Sequence, residues 1–197
     1  LLIRAGPPEG MAWGSLGQYI RALEGKGELL RVSHPVDLKF EAGCIADRLV
    51  KRGGPAVVFD QPRLEGGSIS RFPLAMNLYG TRERTNMALG VSDPSEIGEI
   101  MVGLMKPDIG NLIKRPWKGL GLLKQGLAMA PKKISKAPCQ QVRIENPDLT
   151  QLPIPTTWPD DGGPFMTLPL VVTVDPITGV HNMGMYRSQV FGPTEVG

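Results

Sequence analysis

The chain has 197 residues, a formal net charge of +3 and 41% hydrophobic residues, which is enough length for one domain or two small ones and enough apolar content for a buried core. No run approaches the roughly 18 continuous apolar residues of a membrane helix, so no integral membrane segment is expected. The two cysteines, Cys44 and Cys139, lack CxxC spacing, which excludes a disulfide scaffold and a cysteine-based zinc site.

The 25 Gly and 19 Pro, about 22% together, predict a turn-rich fold containing β-structure. No secretory apolar core opens the chain, so a reducing cytoplasm is the expected location. Met11 is a candidate native start, with residues 1–10 as an upstream or vector-derived extension.

Ser15-Leu16-Gly17-Gln18 reads as a capping box. Leu16, Tyr19, Ile20 and Leu23 then recur at helical spacing until Gly25 and Gly27 end the run. Residues 28–32 predict a short strand, and His34-Pro35 a turn. Residues 40–52 predict a second helix with Cys44, Ile45, Arg48 and Leu49 on one face, stopped by Gly53-Gly54-Pro55. Residues 56–59 read as a buried strand and 74–78 as another. Thr81 is a candidate N-cap for a helix continuing through residues 84–89. Ser92 or Asp93 caps the next helix, with Pro94 in its first turn and Glu96 at its positive end. Ile97, Ile100, Met101 and Leu104 form its apolar face. Residues 11–108 therefore predict a compact α+β domain.

Residues 109–144 carry eight Lys or Arg and no acidic residue. Such a stretch can bind nucleic acid or an anionic membrane surface. Its charges are scattered among Gly and Pro, and Trp117 is its one aromatic residue, whereas a stacking platform needs more. A solvated connection over residues 109–139, with a short helix near 120–129, is the preferred reading, and no nucleic acid is expected as a partner.

From residue 140 the pattern turns to β. Val142 and Ile144 alternate with polar neighbours, as in a half-buried strand. Residues 149–157 are extended by Pro153 and Pro155, and residues 158–164 form a long turn. Residues 167–174 predict a strand, Asp175-Pro176-Ile177-Thr178-Gly179 a hairpin turn, and residues 180–191 the partner strand. Alternation along that partner puts His181, Met183, Met185, Arg187 and Gln189 on one face.

Chemistry read from spacing alone is thin. There is no phosphate-binding glycine loop, and His34 and His181 lack the spacing of a metal site. His34 beside Pro35 reads as a turn residue. Asp160-Asp161, between Pro and Gly, also read as turn residues rather than a cation site.

Five stretches in order carry a resemblance. They are residues 16–37 with their Ser33-His34-Pro35-Val36 turn; Ile45-Ala46-Asp47-Arg48 with Gly53-Gly54-Pro55-Ala56; and Asn77-Leu78-Tyr79-Gly80-Thr81 with Arg84. Then come Leu152-Pro153-Ile154-Pro155 with Trp158-Pro159 and Gly162-Gly163-Pro164, and the run Asn182-Met183-Gly184-Met185-Tyr186-Arg187-Ser188-Gln189. In this order they resemble the UbiD family of prenylated-flavin-dependent decarboxylases, the last as the N-x-G-x-Y-R-x-Q signature.

The resemblance implies an α+β fold: an N-terminal α/β module, then over residues 140–197 the first strands of a flavin-binding split β-barrel. It implies reversible, non-oxidative decarboxylation of a small aromatic or α,β-unsaturated carboxylic acid. The cofactor it implies is prenylated FMN, which carries the hard step while the protein positions and tunes it. A flavin prenyltransferase would supply it, and the full-length protein would be a homo-oligomer. Asn182 would ligate the manganese that tethers the flavin phosphate, with potassium nearby; an amide oxygen suits such a hard ion. Met185, Tyr186 and Arg187 would line the flavin. Arg187 would also be catalytic, holding the substrate carboxylate in a two-pronged contact.

Family members run to about two and a half times this length. The metal-binding Glu, the Glu or Asp proton donor, the basic flavin-phosphate motif and the C-terminal domain are expected beyond Gly197. The 197 residues alone are expected to be inactive, because one Asn and no carboxylate leaves a metal undercoordinated. The alternatives are a non-catalytic assembly domain derived from the same family, and a basic nucleic-acid binder working through residues 109–144.

Overall fold

The computed structural model describes residues 13–105, 120, 127 and 135–197. It divides into two units, one of Ser15–Arg84 with Glu145–Gly197 and the other of Leu1–Gly14 with Thr85–Ile144. The expected helix near 120–129 and most of the basic stretch lie outside the described residues.

The first unit opens with α1 (Leu16–Gly25), whose N-cap Ser15 accepts the Gln18 N–H at 3.3 Å. The helix buries Tyr19 and Leu23. Gly27, at φ +72°, then turns the chain into β1 (Leu29–Val32). Next come β2 (Val36–Asp37), α2 (Glu41–Lys51), β3 (Ala56–Phe59), β4 (Pro62–Arg63) and β5 (Leu74–Met76). β3 is central, parallel to β1 and antiparallel to β5. All four of its residues are buried, which explains its continuous apolar run. Val36, Ala42, Val57 and Phe59 make the core, with Val32, Ile45, Leu49, Leu74 and Met76 packed around it.

The helix α2 turns inward a face rotated from the predicted one: Ile45 and Leu49 of the predicted face pack against the core, half-buried. Ala42, Gly43 and Ala46 are buried, whereas Cys44 and Arg48 are exposed. The reason is a close approach to residue 157. A Cβ on Gly43 would lie 3.1–3.3 Å from the side chain and backbone of Thr157, so small residues face inward there. Phe40, just before the helix, sits at φ +70° in a tight turn closed by Glu41 N–H to the Lys39 carbonyl at 2.9 Å. Its own N–H donates to the Thr156 carbonyl at 2.9 Å, and Thr156 N–H donates to Leu38 at 3.2 Å. Residues 38–40 thus hold the segment that leads into the signature.

A polar cluster backs α1. Arg84 is buried, and its Nη1 donates to Glu28 at 3.0 Å. The Tyr19 hydroxyl faces the carbonyls of Arg84 at 2.8 Å and Leu78 at 3.0 Å, two acceptors for one proton. Asn77, at φ +57°, donates to the Pro55 carbonyl at 2.8 Å. Two of the motifs singled out in the sequence, around residues 53–56 and 77–84, are therefore structural here.

Residues 145–197 add β6 (Phe165–Met166), β7 (Leu170–Val174), β8 (His181–Met185), β9 (Ser188–Gly192) and β10 (Glu195–Val196). β7 and β8 form a hairpin, and β9 lies between β6 and β10. The sheets are small, and the described residues close no barrel. The expected strand 167–174 begins only at Leu170, with the separate β6 ahead of it, and the expected strand 180–191 is broken in two at Tyr186-Arg187. Because β8 and β9 belong to different sheets, alternation cannot be carried across that break. Val142 and Ile144 are exposed and outside any strand, since no described strand pairs with them.

In the other unit, α3 (Arg82–Leu89, shared across the division) leads to α4 (Ser95–Met105). Glu96 accepts the N–H groups of Ser92 at 3.0 Å and Asp93 at 2.9 Å, while Asp93 accepts that of Ser95 at 2.9 Å, a reciprocal cap. Ile97 and Ile100 are half-buried, but Met101 is exposed. No helix among the described residues is long and apolar enough to cross a membrane.

Burial first, then the neighbouring Tyr79, pushes the Tyr19 hydroxyl up from 10.0 to about 12. A proton held more tightly in the fold stabilises it fully below pH 10, and that contribution is lost as pH rises through about 12. Tyr19→Phe is expected to remove the tyrosinate absorbance that appears near pH 12 and to flatten the alkaline fall in melting temperature.

Candidate active-site hairpin

The hairpin turn is set by its aspartate. Asp175 Oδ1 accepts the N–H groups of Ile177 and Thr178, each at 2.8 Å, and Gly179 takes φ +69° to close the loop. The Thr178 N–H above all, then the Ile177 N–H, holds the Asp175 carboxyl below its ordinary range.

This turn fixes the register of Thr173 with Asn182, Val171 with Gly184 and Leu170 with Met185. Paired residues project to the same side of a sheet. Asn182 therefore shares a face with Thr173, Val171 and Gly184. Met183 and Met185 share the opposite face with Leu170, Val172, Val174 and, at its end, His181, and that face is exposed and, His181 apart, apolar.

Tyr186 folds back over Gly184, where a Cβ would overlap its ring. The missing Cβ seats the tyrosine on the face that carries Asn182. Met185 points to the other side. Arg187 follows in the break between strands, with its guanidinium carbon 4.4 Å from the centre of the Phe165 ring. No carboxylate pairs with Arg187 among the described residues.

Phe165 is itself held twice. It lies opposite Gln189 in the β6–β9 ladder, and its N–H donates to Pro155 at 3.1 Å. The Gly162-Gly163 turn closes over Gln189, so that a Cβ on Gly162 would lie 2.8 Å from Gln189 Nε2. Asp161 accepts the Trp158 N–H at 3.1 Å, the turn role read from the sequence. His34 is exposed in its turn, and His181 is exposed at the start of β8.

Two cavities flank this region. One, of about 450 Å³, is walled by Leu74, Met76, Tyr79, Ile154, Phe165 and Thr167. The other, of about 990 Å³, is lined by Lys39, Phe40, Asp161 and the Asp37–Arg63 ion pair, among others. Asn182, Met185, Tyr186 and Arg187 line neither. Phe165 joins one cavity to Arg187, and sequence reading missed it. A single Phe in a two-residue strand gives no periodic signal. Gly184 was readable as a small residue two positions before a large ring.

These residues match parts of what a bound flavin and metal would need. An aromatic ring, exposed apolar side chains and an unpaired cation suit a planar, anionic ring system. The metal set is incomplete: Asn182 offers one amide oxygen, and the described residues contain no group of three or more His, Cys, Asp or Glu able to hold an ion.

The model of the 3-octaprenyl-4-hydroxybenzoate carboxy-lyase N-terminal domain matches residues 20–102, and that of the carboxy-lyase Rift-related domain matches residues 132–197. An uncharacterized protein of Archaeoglobus fulgidus is 42% identical over 187 residues, which cover 95% of this chain and 37% of that protein. The UbiD-class enzyme HmfF from Pelotomaculum thermopropionicum, solved with FMN, is 26% identical with a TM-score of 0.68, across 92% of this chain and 36% of its own. The closed form of the vanillic acid decarboxylase ShVdcCD of Sedimentibacter hydroxybenzoicus reaches a TM-score of 0.72 at 21% identity, a likeness of fold, over 95% of this chain and 37% of that one. The chain spans just over a third of the length of these relatives.

Asp175→Ala is expected to speed amide exchange at Ile177 and Thr178, while Asp175→Asn, which keeps an acceptor, does so less. Acid should act in the same direction. The carboxylate's contribution is present above its ordinary value of 3.8 and is lost as pH falls through the lowered one.

Proposed function

The chain belongs to the UbiD family, and on that premise we propose that it forms the N-terminal portion of a prenylated-FMN-dependent, non-oxidative decarboxylase of aromatic or α,β-unsaturated carboxylic acids. The run Asn182 to Gln189, inside the segment matched by the Rift-related model, carries the proposal. A solved relative that holds FMN and an evolved dimeric form that holds prFMN support the flavin.

In this reading Tyr186 and Arg187 border the flavin with their side chains and Met185 with its backbone, since its side chain lies on the opposite face, and Asn182 gives its amide oxygen to manganese, with potassium nearby. The remaining metal donors come from residues outside this segment. The bound prenylated flavin would supply the electron sink that the loss of carbon dioxide requires. Arg187 grips the substrate carboxylate through two parallel N–H groups and stays charged at any working pH. That grip fixes which bond faces the flavin. Tyr186, seated by Gly184, keeps the approach on the Asn182 side of the sheet. Supply of the cofactor by a flavin prenyltransferase, homo-oligomeric assembly of the complete protein and a cytoplasmic location belong to the same proposal.

The test is carbon dioxide release by the complete protein loaded with prenylated FMN, across benzoates, hydroxybenzoates and cinnamates. Arg187→Ala is expected to lower kcat/KM by about 10²–10⁴, the equivalent of two charge-assisted hydrogen bonds. Arg187→Lys should fall between the two. Turnover of no acid by the complete protein, or full activity of Arg187→Ala, would overturn the reading. The 197-residue segment, given the same cofactor, is expected to release no carbon dioxide, because one amide oxygen cannot hold the metal alone.

A further inference from the structure

We propose that Phe165 is a positioning residue for Arg187, an inference that rests on the decarboxylase reading and adds a residue to it. Arg187 sits where neither sheet constrains it, between β8 and β9. A guanidinium on a long stem carries considerable rotamer freedom. Something has to narrow that freedom if the group is to meet a carboxylate in one orientation. An acidic partner would do so, but it would occupy the N–H donors and neutralise the charge. The structure gives the Arg187 side chain no hydrogen bond and no ion pair among the described residues, and places its guanidinium carbon 4.4 Å from the centre of the Phe165 ring.

A ring face attracts the cation through its quadrupole and leaves the hydrogen-bonding edges unspent. The guanidinium is held while its donors stay available to an incoming carboxylate. The ring is firmly placed for this purpose. Its strand is clamped to Gln189 and Pro155, and the Gly162-Gly163 turn packs over Gln189 from outside. Phe165 is half-buried and also forms part of the wall of the 450 Å³ cavity, so it is held in a strand rather than carried on a loop. The link therefore runs from the β6–β9 ladder, through one aromatic ring, to the residue proposed to bind substrate.

Three variants of the complete, cofactor-loaded protein test this: Phe165→Leu, which keeps bulk and loses the ring face, and Phe165→Tyr and Phe165→Trp, which keep it. Benzoate and benzamide serve as binding probes, read by calorimetry. Phe165→Leu is expected to weaken benzoate three- to tenfold and leave benzamide within twofold. It should raise KM for a carboxylate substrate by a similar factor with a smaller change in kcat. Phe165→Tyr and Phe165→Trp should restore wild-type values within twofold. The upfield ring shift of the Arg187 side-chain protons should vanish in Phe165→Leu and persist in Phe165→Tyr, a readout independent of turnover.

Equal weakening of benzoate and benzamide would mark Phe165 as merely structural and overturn the inference. So would benzoate affinity and KM unchanged within twofold in Phe165→Leu. Both results leave wild-type turnover intact, whereas a wild type that turns over no acid overturns the proposed function itself.

Discussion

The joint between residues 38–40 and Thr156 governs the rest of the first unit. Thr156 accepts from Phe40 and donates to Leu38, and Gly43 leaves Thr157 no more room than a missing Cβ provides. Phe40 accepts a backbone conformation costly for a side-chain-bearing residue to make that joint. Pro155, next along the chain, then receives the Phe165 N–H, and β6 in turn sets β9. The position of Ser188 and Gln189, the end of the signature, is thus inherited, bond by bond, from the start of α2.

The hairpin beyond the joint is asymmetric. One face carries an amide and a folded-back tyrosine, and the other carries Leu170, Val172, Val174, Met183 and Met185 in the open. A lone two-stranded ribbon is marginal in water, and here a turn hydrogen-bonded by one carboxylate fixes its register. A one-residue slip would turn β8 over against β7 and carry Asn182 to the side of Leu170, Val172 and Val174. Asp175 therefore contributes to the chemistry at a distance, by deciding which side chains meet.

Much of the N-terminal module was legible in the sequence because its signals are local. Ser15 and Asp93 announce caps, and Ala56 to Phe59 announce a buried strand. The buried face of α2 was legible only in part. Apolar spacing found Ile45 and Leu49, which pack against the core, but not Ala42, Gly43 and Ala46, because the tightest packing is against backbone, and backbone selects for smallness. The strand break at Tyr186-Arg187 was hidden for a related reason. Alternation continues on paper through residues that switch sheets in space. The signature residues were found by resemblance, and their faces by register. Phe165 was found by neither, because its contact with Arg187 joins residues 22 positions apart in a pair that no periodicity encodes.

The first unit is built from two stretches of sequence, Ser15–Arg84 and Glu145–Gly197. Their joint at residues 38–43 and 155–157 is made by backbone hydrogen bonds and a missing Cβ rather than by particular side chains. Divergence among relatives should accordingly leave side-chain identity free to drift at Lys39 and Thr156, while Gly43 and the count of residues from Thr156 to the signature stay fixed.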